Sequence, residues 1–228
     1  MSRAVCLLGL SLAACGHPAA PRRSDVDLAT TAEKSAWIST GRYDEVVRLC
    51  RDLARVYPAS ARCDRYGVTP EGRDMVALVV SQDGVLTPDE ATRRQRPVIL
   101  VQAGIHAGEI EGKDATLELL RDMVVLGKHD ELLDSVIVLV LPVFSVDAHE
   151  RRSHYNRINQ NGPEMMGWRY TPVGLNLNRD YLKVETPEMR SLISGVYTKW
   201  WPHLLIEDRK STRLNSSHIQ KSRMPSSA

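Results

Sequence analysis

His106 and Glu109 are the first pair in this sequence whose types and spacing could do chemistry. They stand three positions apart in His106-Ala107-Gly108-Glu109, shortly after an apolar run. An imidazole nitrogen and a carboxylate oxygen that converge in a turn can bind one cation, and this mixed pair suits Zn²⁺. Glycines at positions 104 and 108 give the backbone the freedom to fold tightly. An isolated H-x-x-E pattern is more often a surface hydrogen bond, so the interpretation depends on its surroundings.

A second candidate set lies in Gly174–Asp180, which reads Gly-Leu-Asn-Leu-Asn-Arg-Asp. Asn178 and Arg179 are adjacent there, and they offer an amide beside a planar guanidinium fork. That combination suits bidentate recognition of a carboxylate. The ordinary alternative is an arginine that pairs with Asp180 on a loop.

Arg157 is the third candidate, within Tyr155-Asn156-Arg157-Ile158-Asn159. Its guanidinium could stabilise an oxyanion that develops during a reaction. The alternative is a solvated basic loop, because Arg151 and Arg152 are close by.

The elements that must position these residues follow from hydrophobic patterning. Val98–Val101 is a continuous apolar run that predicts a strand buried on both faces, and the carboxyl ends of such strands are where ligands bind in α/β sheets. A helix over 115–126 and a strand over 136–141 follow, which predicts a right-handed crossover and parallel strands. Leu204–Ile206 predicts another buried strand.

Three flanking elements and one long polar segment complete this interpretation. Residues 142–174 are polar with little periodicity, and a structureless stretch of that length inside a domain is usually functional. The first flanking element is a helix over 43–56 that ends before Pro58. The second is a hairpin of 62–67 and 75–81 around the turn Thr69–Gly72. The third is a helix that begins at Thr186-Pro187 and runs to about Trp200.

The N-terminus predicts export. Arg3 precedes an apolar run, Ala4–Ala14, that is too short to span a bilayer as a stable helix. Leu12–Gly16 resembles the lipobox of bacterial lipoproteins, in which the Cys15 thiol carries the lipid. We expect a signal peptide over 1–15, a flexible tether over 16–36 and a lipid-anchored protein of the cell envelope, with contact to the membrane through the anchor alone. The alternative is a signal peptide that happens to contain a cysteine.

Composition is that of a globular protein, with 43% hydrophobic and 25% charged residues. Residues 208–228 carry five Lys/Arg and one Asp, so removing their +4 from the formal +2 leaves −2 for residues 1–207. The charge therefore gives no reason to expect a nucleic-acid partner.

Cys50 and Cys63 could form a disulfide in an exported protein or remain two buried thiols, and the sequence leaves both open.

Taken in order, these motifs resemble the zinc carboxypeptidase family, the carboxypeptidase A-like metallopeptidases. The resemblance runs from about Arg62 to Ile206 and includes the hairpin Tyr66–Arg73, the H-x-x-E at a strand end, a loop arginine and the Asn-Arg pair. Ser145–Ala148 departs from the Asn-Pro-Asp-Gly that these enzymes usually show. The implied fold is α/β, with a mixed, mostly parallel sheet and helices on both faces.

The resemblance also implies roles for the candidate residues. His106 and Glu109 would be two ligands of a Zn²⁺ cofactor. Asn178 and Arg179 would hold the terminal carboxylate of a peptide substrate with a free C-terminus. Arg157 would polarise the scissile carbonyl. The implied activity is hydrolysis of C-terminal residues from peptides.

Two parts that the family implies are missing from residues 1–207. The family's third ligand is a His at the end of the strand Leu204–Asp208, where this chain has Arg209, and its general base is a Glu much further on. Residues 208–228 read as a translated sequencing adapter, so we expect a non-native tail after a domain portion, 37–207, truncated after about half the domain. This chain alone is expected to expose a sheet edge, bind metal weakly and lack peptidase activity, because a catalytic zinc site uses three protein ligands plus water.

Two other functions are compatible with the same motifs. A zinc-dependent deacylase or amidase of small N-acyl amino acids would share the H-x-x-E and a carboxylate-binding arginine. A non-catalytic carboxylate-binding lipoprotein would keep the arginine and lack metal chemistry.

Overall fold

One mixed sheet of five strands carries the candidate residues. The computed structural model describes residues 26–158 and 160–208. The strands are β1 Ala61–Val68, β2 Asp74–Val80, β3 Val98–Ala103, β4 Ile137–Leu141 and β5 Leu204–Asp208. The helices are α1 Thr31–Lys34, α2 Tyr43–Val56, α3 Pro88–Arg93, α4 Glu111–Leu126, α5 Val146–Glu150, α6 Pro187–Leu192 and α7 Thr198–Trp200, with 3₁₀ turns at Asp130–Asp134 and Leu177–Arg179 and a π-helical turn at Ile193–Tyr197.

The strand order is β1-β2-β4-β3-β5. β1 pairs with β2 and β2 with β4 antiparallel, whereas β3 pairs with both β4 and β5 in parallel. The predicted mixed α/β sheet is therefore confirmed. Its three parallel strands are β3, β4 and β5. Their carboxyl ends lie at one edge of the sheet, where His106 follows β3.

The predicted hairpin and first long helix are confirmed. α2 has the predicted bounds, and its buried face carries Val46, Leu49, Cys50 and Leu53 at helical spacing. Cys50 forms a disulfide with Cys63 of β1, with Cα atoms 5.4 Å apart. The structure thus resolves the two alternatives for these cysteines and ties α2 to the hairpin.

The helix after β3 begins four residues earlier than the apolar pattern predicts, at Glu111 instead of Ala115. Its first turn buries an ion pair, with Lys113 Nζ 2.7 Å from Asp114 Oδ1. The Thr40 hydroxyl donates to Asp114 at 2.6 Å. Because these buried positions are charged, hydrophobic periodicity does not reveal that they are helical.

The polar segment 142–174, which the sequence predicts to be irregular, contains the helix α5. The buried positions of α5 include Asp147 and His149, which hides its helical pattern. Asp147 accepts hydrogen bonds from the Thr69 hydroxyl at 2.7 Å and from the Arg73 guanidinium at 2.6 Å, so α5 holds the hairpin turn.

The predicted strand at Leu204–Ile206 exists, but the expectation that it is buried needs correction. The three residues are 51%, 41% and 45% exposed. Within the described ranges β5 pairs with β3 alone, so it is an edge strand whose faces are only partly covered.

The segment predicted as a tether, 16–36, is folded in its second part, which corrects the expected boundary at residue 37. Thr30 caps α1 in a reciprocal arrangement with Glu33. Thr31 donates to Glu45 of α2 through its backbone N–H at 2.8 Å, and Arg121 of α4 pairs with Glu33 at 2.6 Å. Charged and hydroxyl side chains fix this segment to the domain, although it has no hydrophobic period.

The last predicted helix is confirmed as a helical stretch from Pro187 to Trp200, interrupted by the π-helical turn. Gly195 in that turn faces β1, where a Cβ atom would lie 2.4 Å from the carbonyl oxygen of Tyr66. Glycine therefore allows the close packing of this stretch on β1.

Among residues 26–158 and 160–208, no helix has the length and apolar character needed to cross a membrane. Several features of the sequence analysis lie outside the described residues. They are the predicted signal peptide, the lipidation residue Cys15, Asn159 of the loop motif and the suspected tail from Arg209 onward.

Candidate metal centre

A tight turn at the end of β3 presents the first candidate pair. Gly104 has a φ of 63°, in the left-handed region that favours glycine. The backbone N–H of Glu109 donates to the carbonyl of His106 at 2.8 Å, which closes the turn. The N–H groups of Phe144 and Ser145 donate to Ala103 and Gly104, so the loops after β3 and β4 are joined.

The turn brings the two side chains together inside the protein. His106 Nδ1 lies 3.1 Å from Glu109 Oε2, and the residues are 3% and 6% exposed. Two donor atoms of one tetrahedral zinc ion, each about 2.0 Å from the metal, lie about 3.3 Å apart. The imidazole nitrogen and the carboxylate oxygen therefore fit as two ligands of one such ion.

Arg157 reaches the same carboxylate from the long loop. Its Nη2 donates to Glu109 Oε1 at 2.6 Å, and the residue is 7% exposed. A Cβ atom on Gly108 would lie 2.6 Å from Arg157 Cγ, so this close approach requires glycine. Arg157 Nη1 is buried and has no hydrogen-bond partner within the described part of the chain. One nitrogen thus orients Glu109, and the other remains available to an oxygen atom that enters the site.

Electrostatics keep Glu109 ionised. Burial acts to raise the pKa of this carboxyl, but hydrogen bonds with His106 and Arg157 outweigh burial and hold its pKa below the usual range. Arg169, which sequence reasoning did not identify, adds a guanidinium nitrogen 3.9 Å from Glu109 Oε1. The ionised carboxylate is the form of Glu109 that can bind a cation.

Asn176 is a further residue that sequence reasoning missed. Its Oδ1 lies 3.2 Å from His106 Nε2, on the side of the ring opposite Glu109. The same oxygen accepts the backbone N–H of Asn178 at 3.0 Å and caps the 3₁₀ turn Leu177–Arg179. The signal available in the sequence was its place in Asn-Leu-Asn-Arg, but nothing there indicated a partner 70 positions earlier.

Asn178 and Arg179 lie on this capped turn, next to the residue that contacts His106. Arg179 is exposed, and its Nη1 donates to the backbone carbonyl of Asn178 at 2.9 Å. Among the described residues, no hydrogen bond or ion pair joins Arg179 to His106, Glu109 or Arg157. The turn lies beside the pair through the contact of Asn176 with His106, whereas the carboxylate-binding role of Asn178 and Arg179 stays a prediction.

No further metal ligand joins the pair in the part of the chain that the structure describes. No group of three or more His, Cys, Asp or Glu residues that could hold a metal ion occurs there. His203 stands before β5, where its Nδ1 accepts the backbone N–H of Val98 at 3.1 Å. That contact ties the residue before β5 to the start of β3, which is a structural role.

Comparison with known proteins gives three results. The family model described as zinc carboxypeptidase matches residues 46–212. Carboxypeptidase B of Astacus astacus is 27% identical over 114 residues, which are 50% of this chain and 35% of that protein. This chain therefore spans about a third of the length of that curated relative.

Solved structures share the fold. Bovine thrombin-activatable fibrinolysis inhibitor, solved in complex with tick carboxypeptidase inhibitor, superposes with a TM-score of 0.56 at 16% identity, over 75% of this chain and 61% of that chain. A metallo-carboxypeptidase from Burkholderia cenocepacia gives 0.54 at 16% identity, over 72% and 39% of the two chains. Since the family model matches most of the sequence and these folds agree, the chain belongs to the zinc carboxypeptidase family.

Proposed function

We propose that this chain carries the metal-binding and carboxylate-binding part of a zinc-dependent metallocarboxypeptidase, which hydrolyses the C-terminal residue from peptides. The observation that carries the proposal is the buried contact of His106 Nδ1 with Glu109 Oε2 at 3.1 Å, directly after a parallel strand. At this contact two atoms of the kind that bind zinc lie side by side, and the Arg157 guanidinium contacts the other oxygen of the Glu109 carboxylate.

His106 and Glu109 would hold the zinc ion, which when bound supplies Lewis acidity toward a carbonyl oxygen and toward water. Arg157 would serve the substrate. Its Nη1 is buried and unpaired among the described residues, so it can donate a hydrogen bond to the carbonyl oxygen as negative charge develops. The contact of Nη2 with Glu109 fixes the guanidinium in advance, which is the preorganisation that such stabilisation requires.

Asn178 and Arg179 would recognise the free C-terminus of the peptide. The exposed Arg179 donates to the backbone carbonyl of Asn178. The substrate's carboxylate is a stronger acceptor than this carbonyl, so it can take over the hydrogen bond from Arg179. The capped turn keeps both residues adjacent to His106. Recognition of the terminal carboxylate beside the metal would restrict cleavage to the last peptide bond.

The location that we propose is outside the cytoplasm, at the cell envelope, with a lipid on Cys15. The disulfide between Cys50 and Cys63 supports export, because disulfides persist in oxidising compartments. Metabolic labelling with a lipid precursor should mark the wild-type chain and leave Cys15→Ala unlabelled. Labelling of both chains would contradict the anchor.

Zinc binding by this chain tests the metal centre. Competition with a chromogenic chelator should detect zinc binding to the wild type and its loss in His106→Gln and Glu109→Gln. His154→Gln changes an exposed histidine of the long loop and should bind zinc as the wild type does. Equal zinc affinity in all four proteins would refute the proposed ligands.

Ligand binding separates peptidase from the other functions. With zinc, a short peptide with a free C-terminus should bind more tightly than the same peptide amidated, and more tightly than an N-acyl amino acid. Preference for the N-acyl amino acid would favour a deacylase instead. Carboxylate binding that does not depend on zinc would favour a non-catalytic binding protein.

A further inference from the structure

An open groove lies between the end of α5 and the long loop that follows it. Its volume is about 450 Å³, and it is lined by Glu150, Arg151, Arg152, Asn156 and Trp168. Asn156 Nδ2 donates to the backbone carbonyls of Arg151 at 2.7 Å and of Met166 at 2.8 Å. The backbone N–H of Trp168 donates to the carbonyl of Ala148 at 2.9 Å. These hydrogen bonds join the two walls, so the groove is preformed.

Two of the charged residues that line the groove are neutralised by partners within the protein. Glu150 Oε1 accepts the backbone N–H of Tyr43 at 2.9 Å, and its Oε2 accepts from Arg42 Nε at 3.0 Å. Arg151, which is exposed, pairs with Glu71 through Nη2 at 3.0 Å. Their charges are therefore largely compensated, and the net charge of the groove depends on Arg152.

Arg152 is a half-buried cation that forms no ion pair with a carboxylate among the described residues. Its Nη2 donates to the backbone carbonyls of Thr40 at 2.8 Å and Met165 at 3.1 Å, and its Nε and Nη1 have no hydrogen bond in the same part of the chain. Burial is the main cause that lowers the pKa of this guanidinium. An anion in the groove would therefore receive a charge-assisted hydrogen bond from Arg152.

The groove lies on the side of the candidate site away from the turn proposed to bind the carboxylate. That turn is on the Nε2 side of His106, and Glu109 is on the Nδ1 side. Arg169 follows beyond Glu109, with its Nη1 3.9 Å from Oε1. Trp168, the chain neighbour of Arg169, lines the groove. A peptide held by its C-terminus at the turn would thus extend past the metal and toward the groove.

We propose that this groove binds an acidic side chain of the peptide substrate, upstream of the cleaved bond, and that Arg152 is the specificity-determining residue. The inference rests on the proposed function and deepens it by naming a substrate class. One arginine side chain and one Cα step separate Glu109 from the groove, and an extended peptide advances about 3.3–3.6 Å per residue. The acidic residue would then stand about three or four positions before the scissile bond. The indole of Trp168, 42% exposed, offers the peptide an apolar surface beside the charge.

Peptides that differ by a single charge test this groove. Short peptides with a free C-terminus would carry Glu or Gln at one position, and that position would be moved along the peptide. Isothermal titration calorimetry with the zinc-loaded full chain should show the Glu peptide binding about 10-fold more tightly than the Gln peptide at the predicted position. The preference should shrink as salt is raised, because its origin is electrostatic.

Substitutions in the groove identify the cation responsible. Arg152→Met removes the charge at similar length and should abolish the preference for Glu without changing the affinity for the Gln peptide, whereas Arg152→Lys should retain a preference. Arg151→Glu changes an exposed side chain of the same groove and should abolish or reverse the preference, even if Arg152→Met does not fold. Arg55→Met, an exposed arginine at the end of α2, should behave as the wild type. Far-UV circular dichroism shows which chains are folded.

Equal affinity of the wild type for the Glu and Gln peptides at every position would overturn the proposal. So would a preference for Glu that survives in folded Arg152→Met or in Arg151→Glu. The amidated Gln peptide tests the proposed function separately, because equal binding of its free and amidated forms would refute recognition of the terminal carboxylate. A preference for Glu that Arg152→Met abolishes would, even then, support the groove as a site for acidic peptides.

Discussion

Glu109 is the residue on which the candidate site depends. Its two carboxylate oxygens face different partners, His106 on one side and Arg157 on the other. Sequence spacing identified these three residues because the pair lies within one turn and the arginine lies in a long polar segment. Asn176 and Arg169 could not be found in this way, because their contacts span many residues and arise only when the loop folds over the end of β3.

Removal of Arg157 should destabilise the fold. Arg157→Met leaves the Glu109 carboxylate buried without its charged partner, and breaking such a pair typically costs about 3–5 kcal/mol. Urea unfolding measures this free energy. Arg179→Met removes an exposed arginine and should change stability by less than about 0.5 kcal/mol. Equal effects of the two substitutions would contradict the buried ion pair.

Glu150 should make stability depend on acid pH. Burial acts to raise the pKa of its carboxyl, but His149, the backbone N–H of Tyr43 and the Arg42 guanidinium outweigh burial and hold it well below the ordinary 4.5. A carboxyl whose folded pKa is depressed stabilises the fold above its unfolded pKa, and this contribution is lost as pH falls below about 4.5. Burial also lowers the pKa of His149, and the nearby charges of Lys113 and Arg152 act in the same direction. A histidine that is held neutral in the folded state lowers the free energy of unfolding as pH falls below its unfolded pKa of 6.5, so His149 adds to the acid destabilisation.

The measurement is the free energy of unfolding between pH 7 and pH 3. Glu150→Gln should reduce the fall in stability with acid, whereas Glu131→Gln, an exposed carboxyl on a 3₁₀ turn, should follow the wild type. A Glu150→Gln chain with the wild-type pH profile would show that this carboxyl does not carry the effect.

At the scale of elements, hydrophobic patterning predicted the helices and strands that the local sequence determines. α2, the hairpin, β3 and β4 follow from apolar spacing and turn residues, and the structure has them within a few positions. The first turn of α4 and the whole of α5 were missed because Lys113, Asp114, Asp147 and His149 are buried through partners on distant elements. Polar burial of this kind depends on tertiary contacts, which a single sequence does not display.

The disulfide between α2 and β1 should contribute measurably to stability. Its cysteines are separated by 13 positions, and closing a loop of about that size is worth about 3 kcal/mol through the unfolded chain. The double variant Cys50→Ala, Cys63→Ala should lose about 2–4 kcal/mol relative to the oxidised wild type in urea unfolding. Reduction should destabilise the wild type and leave the double variant unaffected; a wild type insensitive to reductant would contradict the bridge.

At the scale of the whole molecule, strand and helix order predicted parallel strands, and the family resemblance implied the mixed α/β sheet that the structure has. The exposure of β5 was harder to predict, because an apolar run such as Leu204–Ile206 normally indicates a buried strand. Burial depends on what packs on both sides of a strand, and in the described residues β5 has a partner on one side alone.

The exposed apolar edge should make this chain self-associate. Unpaired strand edges with apolar side chains template pairing between chains, and a charged residue on the edge opposes it. Size-exclusion chromatography with light scattering should show oligomers of the wild type and a larger monomer fraction for Leu205→Lys. A wild-type monomer that unfolds cooperatively would refute this expectation.

The zinc X-ray absorption spectrum tests the central claim most directly, that His106 and Glu109 together bind one zinc ion. The zinc-loaded wild type should show imidazole nitrogen scattering, with a first shell of nitrogen and oxygen at about 2.0–2.2 Å. His106→Gln should lose the imidazole contribution, and Glu109→Gln should lower zinc occupancy. A wild-type spectrum without imidazole, or one that neither substitution changes, would contradict the account.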